Sequence, residues 1–404
     1  MSAIAIGKAS AVAETSPQAF SEAGVIDRAR AIRPTLVPLQ EEVEARTFYS
    51  EEVHQQFKDA GFYRILTPKK YGGLEFDIET FFRVILEITA GCPSTGWMLC
   101  LGGSRALNVG ALFEEDIQAE LFADPDFIAP CVLKPSGTAT PLADGDWEIS
   151  GVYPYCSGAP YSGYFIGRAA HAHDGSPVLF IASAHKYTRL DDWGGQLGMK
   201  GTGSHSLKLE RAVIPGRLIF PGLDIMEADI VDGTPGSRLH GNPIYAGGAK
   251  SFFIGETALI GIGIAMNALD TYEALMHKNV TFGPPAPRTH DPHFQAWYGT
   301  AAGKILSAEA IVMTAARQWT EAARDGRFTD EFEMRLMAMF REANDLAWDA
   351  MEIMFRTAGT SNLADGTRMQ RAWRDMSTLR SHNGVVFFSE VTKGLLTRLH
   401  FGVA

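Results

Sequence analysis

The spacing of apolar residues changes twice along this chain of 404 residues, and these changes constrain the fold more than any other feature. Apolar residues recur at helical spacing from about residue 18 to 125, and short β-prone runs broken by turn dipeptides follow to about residue 235. Helical spacing then returns. Four long helical segments are predicted there, at about 246–278, 292–325, 329–357 and 364–396. The order of elements predicts a helical domain, a β domain and a helical bundle.

Local signals indicate where individual elements begin and end. Ser50 stands where it would cap a helix, and Gly61 stands where that helix would end. Asp77 is placed to open a second helix, whose apolar stripe is predicted to be buried. The stripe consists of Phe81, Val84, Ile85 and Ile88. Leu207 and Leu209 alternate with charged residues, which predicts a strand with one face in water.

The composition narrows the functional class. The formal net charge is -11, and no cluster of Lys or Arg forms the basic stripe that nucleic-acid binding needs. The four cysteines lack paired spacing, so neither a disulfide framework nor a zinc site is predicted. No apolar run is long enough to predict a membrane span, and residues 1–17 are expected to be a disordered leader. A cytoplasmic small-molecule enzyme fits these features best.

Two pairs of histidines are spaced like metal ligands. His171 and His173 lie beside an Asp-Gly turn, and His290 and His293 lie around a proline. An exposed hairpin and a loop explain these pairs better than a metal does. No metal site is therefore predicted.

Three separated motifs carry a resemblance to a known family. The first is GCPSTGW at 91–97, the second is GMKGTGSHSLKLERAVIP at 198–215, and the third is Arg374-Asp375 followed by His382. The chain resembles the flavin-dependent monooxygenases built on the acyl-CoA dehydrogenase fold, which carry similar motifs in this order. That branch is typified by the oxygenase components of 4-hydroxyphenylacetate 3-hydroxylase, steroid-ring phenol hydroxylase and dibenzothiophene monooxygenase.

The resemblance implies an α+β fold that is mostly helical. It implies a helical domain at 18–125, a central β-barrel or sandwich domain at 126–235 and a four-helix bundle at 236–404. The implied protein is the oxygenase component of a two-component system, assembled as a homotetramer and supplied by a separate NAD(P)H–flavin reductase. The lack of a GxGxxG motif opening a βα unit agrees with a separate reductase.

The implied chemistry begins with reduced flavin, either FADH2 or FMNH2, and O2. Together they form a flavin C4a-hydroperoxide, which hydroxylates or epoxidises a small apolar aromatic or heteroaromatic substrate, phenol-like or indole-like. Dehydrogenases of this fold carry Arg three residues before a Phe-Gly pair, whereas Asn279 precedes Phe282-Gly283 here. Weaker binding of the flavin suits a cofactor that binds in its reduced form and then dissociates.

His382 and Ser157 are the catalytic residues that the resemblance implies. Ser157 is expected to place its hydroxyl against the flavin, although a simple Ser-Gly turn remains open. Tyr155 replaces the usual Trp beside it. His382 is expected to exchange a proton, to assist deprotonation of a phenol or to orient the peroxide, and a satisfied core histidine is the alternative. Trp97 is expected to face the flavin or the substrate, or else to pack in the core.

Further residues are assigned to the cofactor and substrate by the same resemblance. Cofactor contacts are expected from Thr202, Gly203 and Ser204, and from the loop residues Gly359, Thr360 and Ser361, which would reach the phosphate-bearing tail, often of a neighbouring subunit. An ordinary turn is the alternative interpretation of each of these two segments. Substrate contacts are expected from Ser104 and Arg105, where phenol hydroxylases tend to carry His, and from Phe252 in an aromatic, glycine-rich stretch.

An FAD-bound acyl-CoA dehydrogenase or oxidase is the alternative function. Asn383 occupies the position where several dehydrogenases carry the Glu that abstracts the substrate proton. An amide cannot take that proton, which argues against dehydrogenation, although some dehydrogenases place the base on another helix. A scaffold that kept the fold and lost the flavin is the third possibility.

Overall fold

The structure, a computed structural model, describes residues 20–230, 233–280 and 284–403. Within the last helix it does not describe the side chains of residues 387–390. The expected leader at 1–17 and the Phe282-Gly283 pair lie outside the described residues.

Helices make up the first part of the described chain. Their bounds are Glu22–Leu36 (α1), Gln40–Arg46 (α2), Glu51–Ala60 (α3), Ile78–Gly91 (α4), Pro93–Gly103 (α5), Arg105–Leu112 (α6) and Glu115–Leu121 (α7). The predicted caps of α3 and α4 are confirmed. The Oγ of Ser50 accepts from the N–H of Val53 at 3.4 Å, and the Oδ1 of Asp77 accepts from the N–H of Thr80 at 2.7 Å. Gly61 ends α3, and the apolar stripe of α4 is buried.

The middle of the chain forms a mixed sheet. Its strands are Cys131–Val132 (β1), Thr138–Pro141 (β2), Trp147–Tyr153 (β3), Tyr164–His171 (β4), Pro177–Ser183 (β5), Thr188–Arg189 (β6), Leu207–Ile214 (β7) and Ile219–Pro221 (β8). The hydrogen-bonded order is β6-β7-β3-β2-β4-β5-β8, and β1 also pairs with β4. As predicted, Leu207 and Leu209 are buried on β7, while Glu210 is exposed. The two ends of this order do not pair within the described residues, so hydrogen bonds leave the sheet open.

Long helices form the C-terminal part. A short helix, Pro235–His240 (α8), precedes Ala249–Met276 (α9), Pro292–Arg324 (α10), Asp330–Thr357 (α11), Arg368–Arg380 (α12) and Asn383–Phe401 (α13). Among the described helices, α9 alone has the length and apolar composition to cross a membrane. However, 83% of its most apolar stretch is buried inside the protein. It packs against α4, α10, α11 and α12, and it is therefore the core helix of the bundle.

The last predicted helical segment is broken in two, so its prediction as one helix was wrong. α12 ends at Arg380, and His382 takes the extended conformation of an N-cap residue, with φ -66° and ψ 137°. The Nδ1 of His382 accepts from the N–H of Gly384 at 3.1 Å. A side chain that bonds to the nearby backbone in this way competes with helical hydrogen bonding. Asn383 and Gly384 are also weak helix formers, which favours a new helix start here.

The segment before β7 is fastened to α12, and this segment, residues 197–204, is called the Gly198 loop below. Three hydrogen bonds join its backbone to one face of α12. They run from Arg374 Nη1 to Leu197 O (2.7 Å), from Gly198 N to Thr378 Oγ1 (2.8 Å) and from Met199 N to Asp375 Oδ1 (2.6 Å). A Cβ on Gly198 would lie 2.3 Å from the backbone of Arg374, so the approach requires glycine.

The carboxyl group of Asp375 is buried, and burial raises its pKa to about 7. In the unfolded chain the ordinary pKa is about 3.9. Between these values the folded state binds more protons than the unfolded state, so the contribution of Asp375 to stability decreases as the pH rises through this window.

Asp375→Asn keeps a side-chain oxygen for the N–H of Met199 and removes the titration. We expect the melting temperature of the wild type, relative to that of this variant, to decrease as the pH rises from 5 to 8. Scanning calorimetry of both proteins across this range measures the difference. A difference that does not change with pH would contradict the assignment.

Candidate active site

The three motifs that carry the resemblance meet at one place in the structure. The first motif begins α5, where the Oγ of Ser94 accepts from the N–H of Gly201 at 3.2 Å. The imidazole of His382 lies edge-on to the indole of Trp97, with ring centroids 5.3 Å apart and an interplanar angle of 73°. Because Asp375 binds the same Gly198 loop, residues from all three motifs surround one site.

Ser157 belongs to a chain of buried polar groups. The Nε1–H of Trp97 donates to the Oγ of Ser157 at 2.9 Å. Hydroxyl groups then follow one another from Ser157 to Ser204 (2.7 Å), from Ser204 to Thr202 (2.7 Å) and from Thr202 to the carbonyl oxygen of Met199 (3.0 Å). The side chains of Ser157, Thr202 and Ser204 are all buried. The structure thus brings four of the predicted site residues together with His382.

The backbone around Ser157 makes a tight turn. The N–H of Ser157 donates to the carbonyl oxygen of Tyr155 at 3.0 Å, and Tyr155 has a φ of 63°, in the left-handed region that is uncommon for a bulky residue. Gly158 follows with a φ of 90°. The ring of Tyr155 is 68% exposed and lies edge-on to Trp193. The predicted Ser-Gly turn is present, and it directs the Ser157 hydroxyl inwards.

Gly203 takes part in a different way from its two neighbours. Its N–H donates to the carbonyl oxygen of Thr47 at 2.8 Å, and its φ is 58°. The backbone donor that was expected to serve the cofactor is therefore already used within the protein. Thr202 and Ser204 reach Ser157 through their hydroxyl groups instead.

His382 has one ring nitrogen in use and one available. Because Nδ1 accepts from Gly384, the neutral ring carries its hydrogen on Nε2. Nε2 has no described hydrogen-bond partner. Part of the residue is exposed, but the protein packed around the ring disfavours a charge, and this burial lowers the pKa of His382 below its ordinary value. His382 is therefore a neutral donor at pH 7.

The residues predicted to contact substrate lie in the interior. Ser104, Arg105 and Phe252 are almost fully buried. The Nη2 of Arg105 donates to Glu256 Oε2 at 2.6 Å, and its guanidinium lies 3.9 Å from the ring centroid of Phe253. No hydrogen bond or ring contact between described residues joins these three to His382. Their contact with substrate stays a prediction.

Glu256 is a residue that the sequence analysis missed. It lies on α9, is buried and is ion-paired with Arg105. Burial raises its pKa, while the nearby Arg105 opposes the shift. The signal was present in the sequence, because Glu256 is the only acid between Lys250 and Asp270 in a strongly apolar stretch. A charged side chain in such an apolar stretch predicts a buried partner of opposite charge.

The Gly359–Ser361 turn lies apart from this cluster. It follows α11, with Gly359 at a φ of 92°, and all three residues are exposed. The buried guanidinium of Arg288 donates to the carbonyl oxygen of Ala358 at 3.1 Å, which holds the start of the turn. No described contact links the turn to Ser157. Its role at the cofactor tail stays a prediction.

Two family models match the chain. The acyl-CoA dehydrogenase N-terminal domain matches residues 25–113, and the acyl-CoA dehydrogenase C-terminal domain matches residues 256–387. Together they span more than half of the chain.

Individual relatives match across almost the whole length. A pigment production hydroxylase from a Rhodococcus species is 27% identical over 375 residues, which are 89% of this chain and 92% of the relative. The oxygenase subunit HsaA of a flavin-dependent monooxygenase from Rhodococcus jostii is 26% identical and covers 88% of this chain and 93% of its own.

Solved structures share the fold. XiaF from a Streptomyces species, in complex with FADH2 and glycerol, has a TM-score of 0.86 at 23% identity and covers 95% of this chain and 96% of its own. TdsC from a Paenibacillus species, in complex with FMN and indole, has a TM-score of 0.78 at 21% identity and covers 94% and 97%. The predicted fold class and the resemblance are confirmed: this chain belongs to the acyl-CoA dehydrogenase family, among relatives named as hydroxylases and flavin-dependent monooxygenases.

Proposed function

We propose that this protein is the oxygenase component of a two-component flavin-dependent monooxygenase. The observation that carries the proposal is the convergence of His382, Trp97 and Ser157 at one site, with the amide of Asn383 at the position where several dehydrogenases carry a carboxylate. The substrate is a small apolar aromatic or heteroaromatic compound, phenol-like or indole-like. Relatives named as a resorcinol hydroxylase and an indole-3-acetate monooxygenase, and the indole bound to TdsC, support this class.

The polar atoms of the site fit a flavin ring. Ser157 Oγ accepts from Trp97 and shares a hydrogen bond with Ser204, which leaves its hydroxyl group one further hydrogen-bonding position, and the Nε2–H of His382 is available as a donor. The indole of Trp97 lies between them. Reduced flavin, FADH2 or FMNH2, supplies the two electrons that reduce O2, so that one oxygen atom enters the substrate and the other leaves as water.

His382 acts as a hydrogen-bond donor from Nε2. Of its three expected roles, orientation of the reacting oxygen fits best, because Nδ1 already accepts from Gly384 and the ring is neutral at pH 7. Trp97 holds the ring edge-on and, being buried, keeps water from that side. Ser157 provides the polar contact across the site.

The assembly around this site is also part of the proposal. A separate NAD(P)H–flavin reductase supplies the reduced flavin, and the names of relatives as oxygenase subunits support this division. A homotetramer in the cytoplasm would allow the exposed Gly359–Ser361 turn of one subunit to reach the flavin tail bound by another.

A dehydrogenase would need its catalytic base on another helix. Glu256 on α9 is a buried carboxylate of the type that such a base requires. Its oxygens are held by Arg105, so Glu256 is committed to an ion pair. This arrangement favours the oxygenase.

Anaerobic titration followed by O2 tests the proposed function. We expect reduced FMN or FAD to bind, and O2 to give hydroxylated product with a phenol or indole present and H2O2 without it. A protein that purifies with stoichiometric FAD and is reduced by an acyl-CoA would establish the dehydrogenase. If neither flavin, in either redox state, changes the melting temperature or fluorescence, the protein is a scaffold.

Two substitutions separate the chemical role of His382 from its role as a helix cap. His382→Asn keeps an N-cap residue, whereas His382→Ala removes the cap at a cost of about 1 kcal/mol. Because both remove the Nε2–H donor, product formation should decrease about 100-fold or more in both. Reduced-flavin binding should change little, and only the Ala variant should lose stability. Product formation at the wild-type rate in His382→Asn would remove His382 from the chemistry.

The Arg105–Glu256 pair gives a prediction for stability. Arg105→Leu leaves a carboxylate buried without its partner, so we expect a loss of about 3–5 kcal/mol in the free energy of unfolding. Arg105→Leu combined with Glu256→Leu removes both charges and should cost less than the single change. Urea unfolding measures both losses. A double variant less stable than the single one would refute the ion-pair assignment.

A further inference from the structure

The ion pair between Arg105 and Glu256 lies next to the site along α5. The Sγ of Cys100 donates to Glu256 Oε1 at 4.0 Å. Cys100 follows Trp97 by three residues, so the two side chains lie on one face of α5, one turn apart. The charged pair is therefore about one helical turn from the indole that contacts His382.

Two close approaches join the neighbouring segments to the site from other sides. Thr257 follows Glu256 on α9, and a Cβ on Gly384 would lie 3.6 Å from the Cγ2 of Thr257, which brings α9 against the start of α13. A Cβ on Gly158 would lie 3.1 Å from the Cα of Gly102, which brings the end of α5 against the tight turn described above. The two charged residues thus lie in segments that border the site.

The guanidinium of Arg105 has little left to offer a ligand. Its Nε and Nη2 donate to the Oγ of Ser104 at 3.2 and 2.7 Å, Nη2 also donates to Glu256, and Nη1 donates to the Oδ1 of Asn108 at 3.3 Å. The ring of Phe253 covers one face of the group. The described contacts leave one N–H, on Nη1, uncommitted. A guanidinium commonly holds a carboxylate through two parallel N–H groups, and such a pair is not free here.

The charges in this region are balanced. Arg105 and Glu256 are both almost fully buried, and together they carry no net charge. The thiol of Cys131 interacts electrostatically with this pair and with a second one, in which Arg168 lies 3.1 Å from Asp224. Neither pair supplies a spare positive charge, so a substrate carboxylate would enter as an uncompensated buried charge.

We infer that this balanced pair makes the site selective for uncharged aromatic substrates, and that Glu256 is the residue that excludes carboxylates. The inference rests on the proposed function and narrows its substrate class. Glu256 occupies the guanidinium that would otherwise bind an anion, and its own charge repels a second carboxylate. Two relatives are named for arylacetate substrates, one a p-hydroxyphenylacetate 3-hydroxylase component and the other an indole-3-acetate monooxygenase. We expect this chain to reject such acids.

Pairs of substrates that differ only in charge test the inference. 4-Hydroxyphenylacetamide and 4-hydroxyphenylacetate have nearly the same shape, as do indole-3-acetamide and indole-3-acetate. With the wild type and reduced flavin, we expect kcat/KM for the amide to exceed kcat/KM for the acid by about tenfold or more. Product formation after addition of O2 measures both constants.

Glu256→Gln removes the negative charge at nearly constant shape and leaves the guanidinium of Arg105 without its partner. The acid then supplies the missing charge, so the ratio of kcat/KM for amide to acid should decrease by about tenfold or more. The acid, but not the amide, should also raise the melting temperature of this variant. An unchanged ratio, or stabilisation by both compounds alike, would contradict the role of Glu256.

Two further variants serve as controls. Glu333→Gln removes a carboxylate that is also buried but bonds to Ser251 rather than to an arginine, so its ratio should equal that of the wild type. The double variant Arg105→Leu, Glu256→Leu removes both charges and should still reject the acid, because the cation is gone as well. If Glu256→Gln does not fold, this double variant and the wild type decide, since acceptance of the acid by either would overturn the inference.

The outcomes separate the inference from the function on which it rests. A wild type that uses acid and amide equally, or that rejects the amide together with the acid while it oxidises phenol or indole, would overturn the inference and leave the function standing. A wild type that gives no hydroxylated product with any of these compounds, phenol and indole included, would overturn both.

Discussion

The contact between the Gly198 loop and α12 is the constraint on which the site depends. Three backbone positions of the loop are held by Arg374, Asp375 and Thr378, and a glycine is needed because the two backbones nearly touch. Arg374 also forms an ion pair with Glu44 on α2, at 2.9 Å. The helical bundle, the sheet and the N-terminal helices are therefore fastened at one point, from which Thr202 and Ser204 extend towards Ser157.

This fastening explains why the three motifs occur together. None of them forms a site alone: Trp97 needs Ser157 as an acceptor, the hydroxyl chain needs a fixed Met199, and Met199 needs Asp375. The buried Asp375 is costly in isolation, because burial raises its pKa well above the ordinary value. The hydrogen bond from the N–H of Met199 to Asp375 offsets part of the cost of burying this carboxyl group.

Much of the fold could be predicted from local sequence, and the site only in part. The caps at Ser50 and Asp77 and the alternation on β7 involve neighbours in the chain, so their signals are local. The assignment of Trp97, Ser157 and His382 to one site came from the family resemblance. The pairing of Arg105 with Glu256 could not be predicted, because it joins residues 151 positions apart that come together only in the folded chain.

The role of His382 as a helix cap limits which residues can stand at this position. Only side chains that accept from the backbone two residues ahead can start α13 there, which favours short polar residues such as Asn, Asp, Ser and Thr besides His. The identity of residue 382 is therefore limited by the start of α13 as well as by the contact with Trp97, and a substitution there that cannot cap the helix changes both at once.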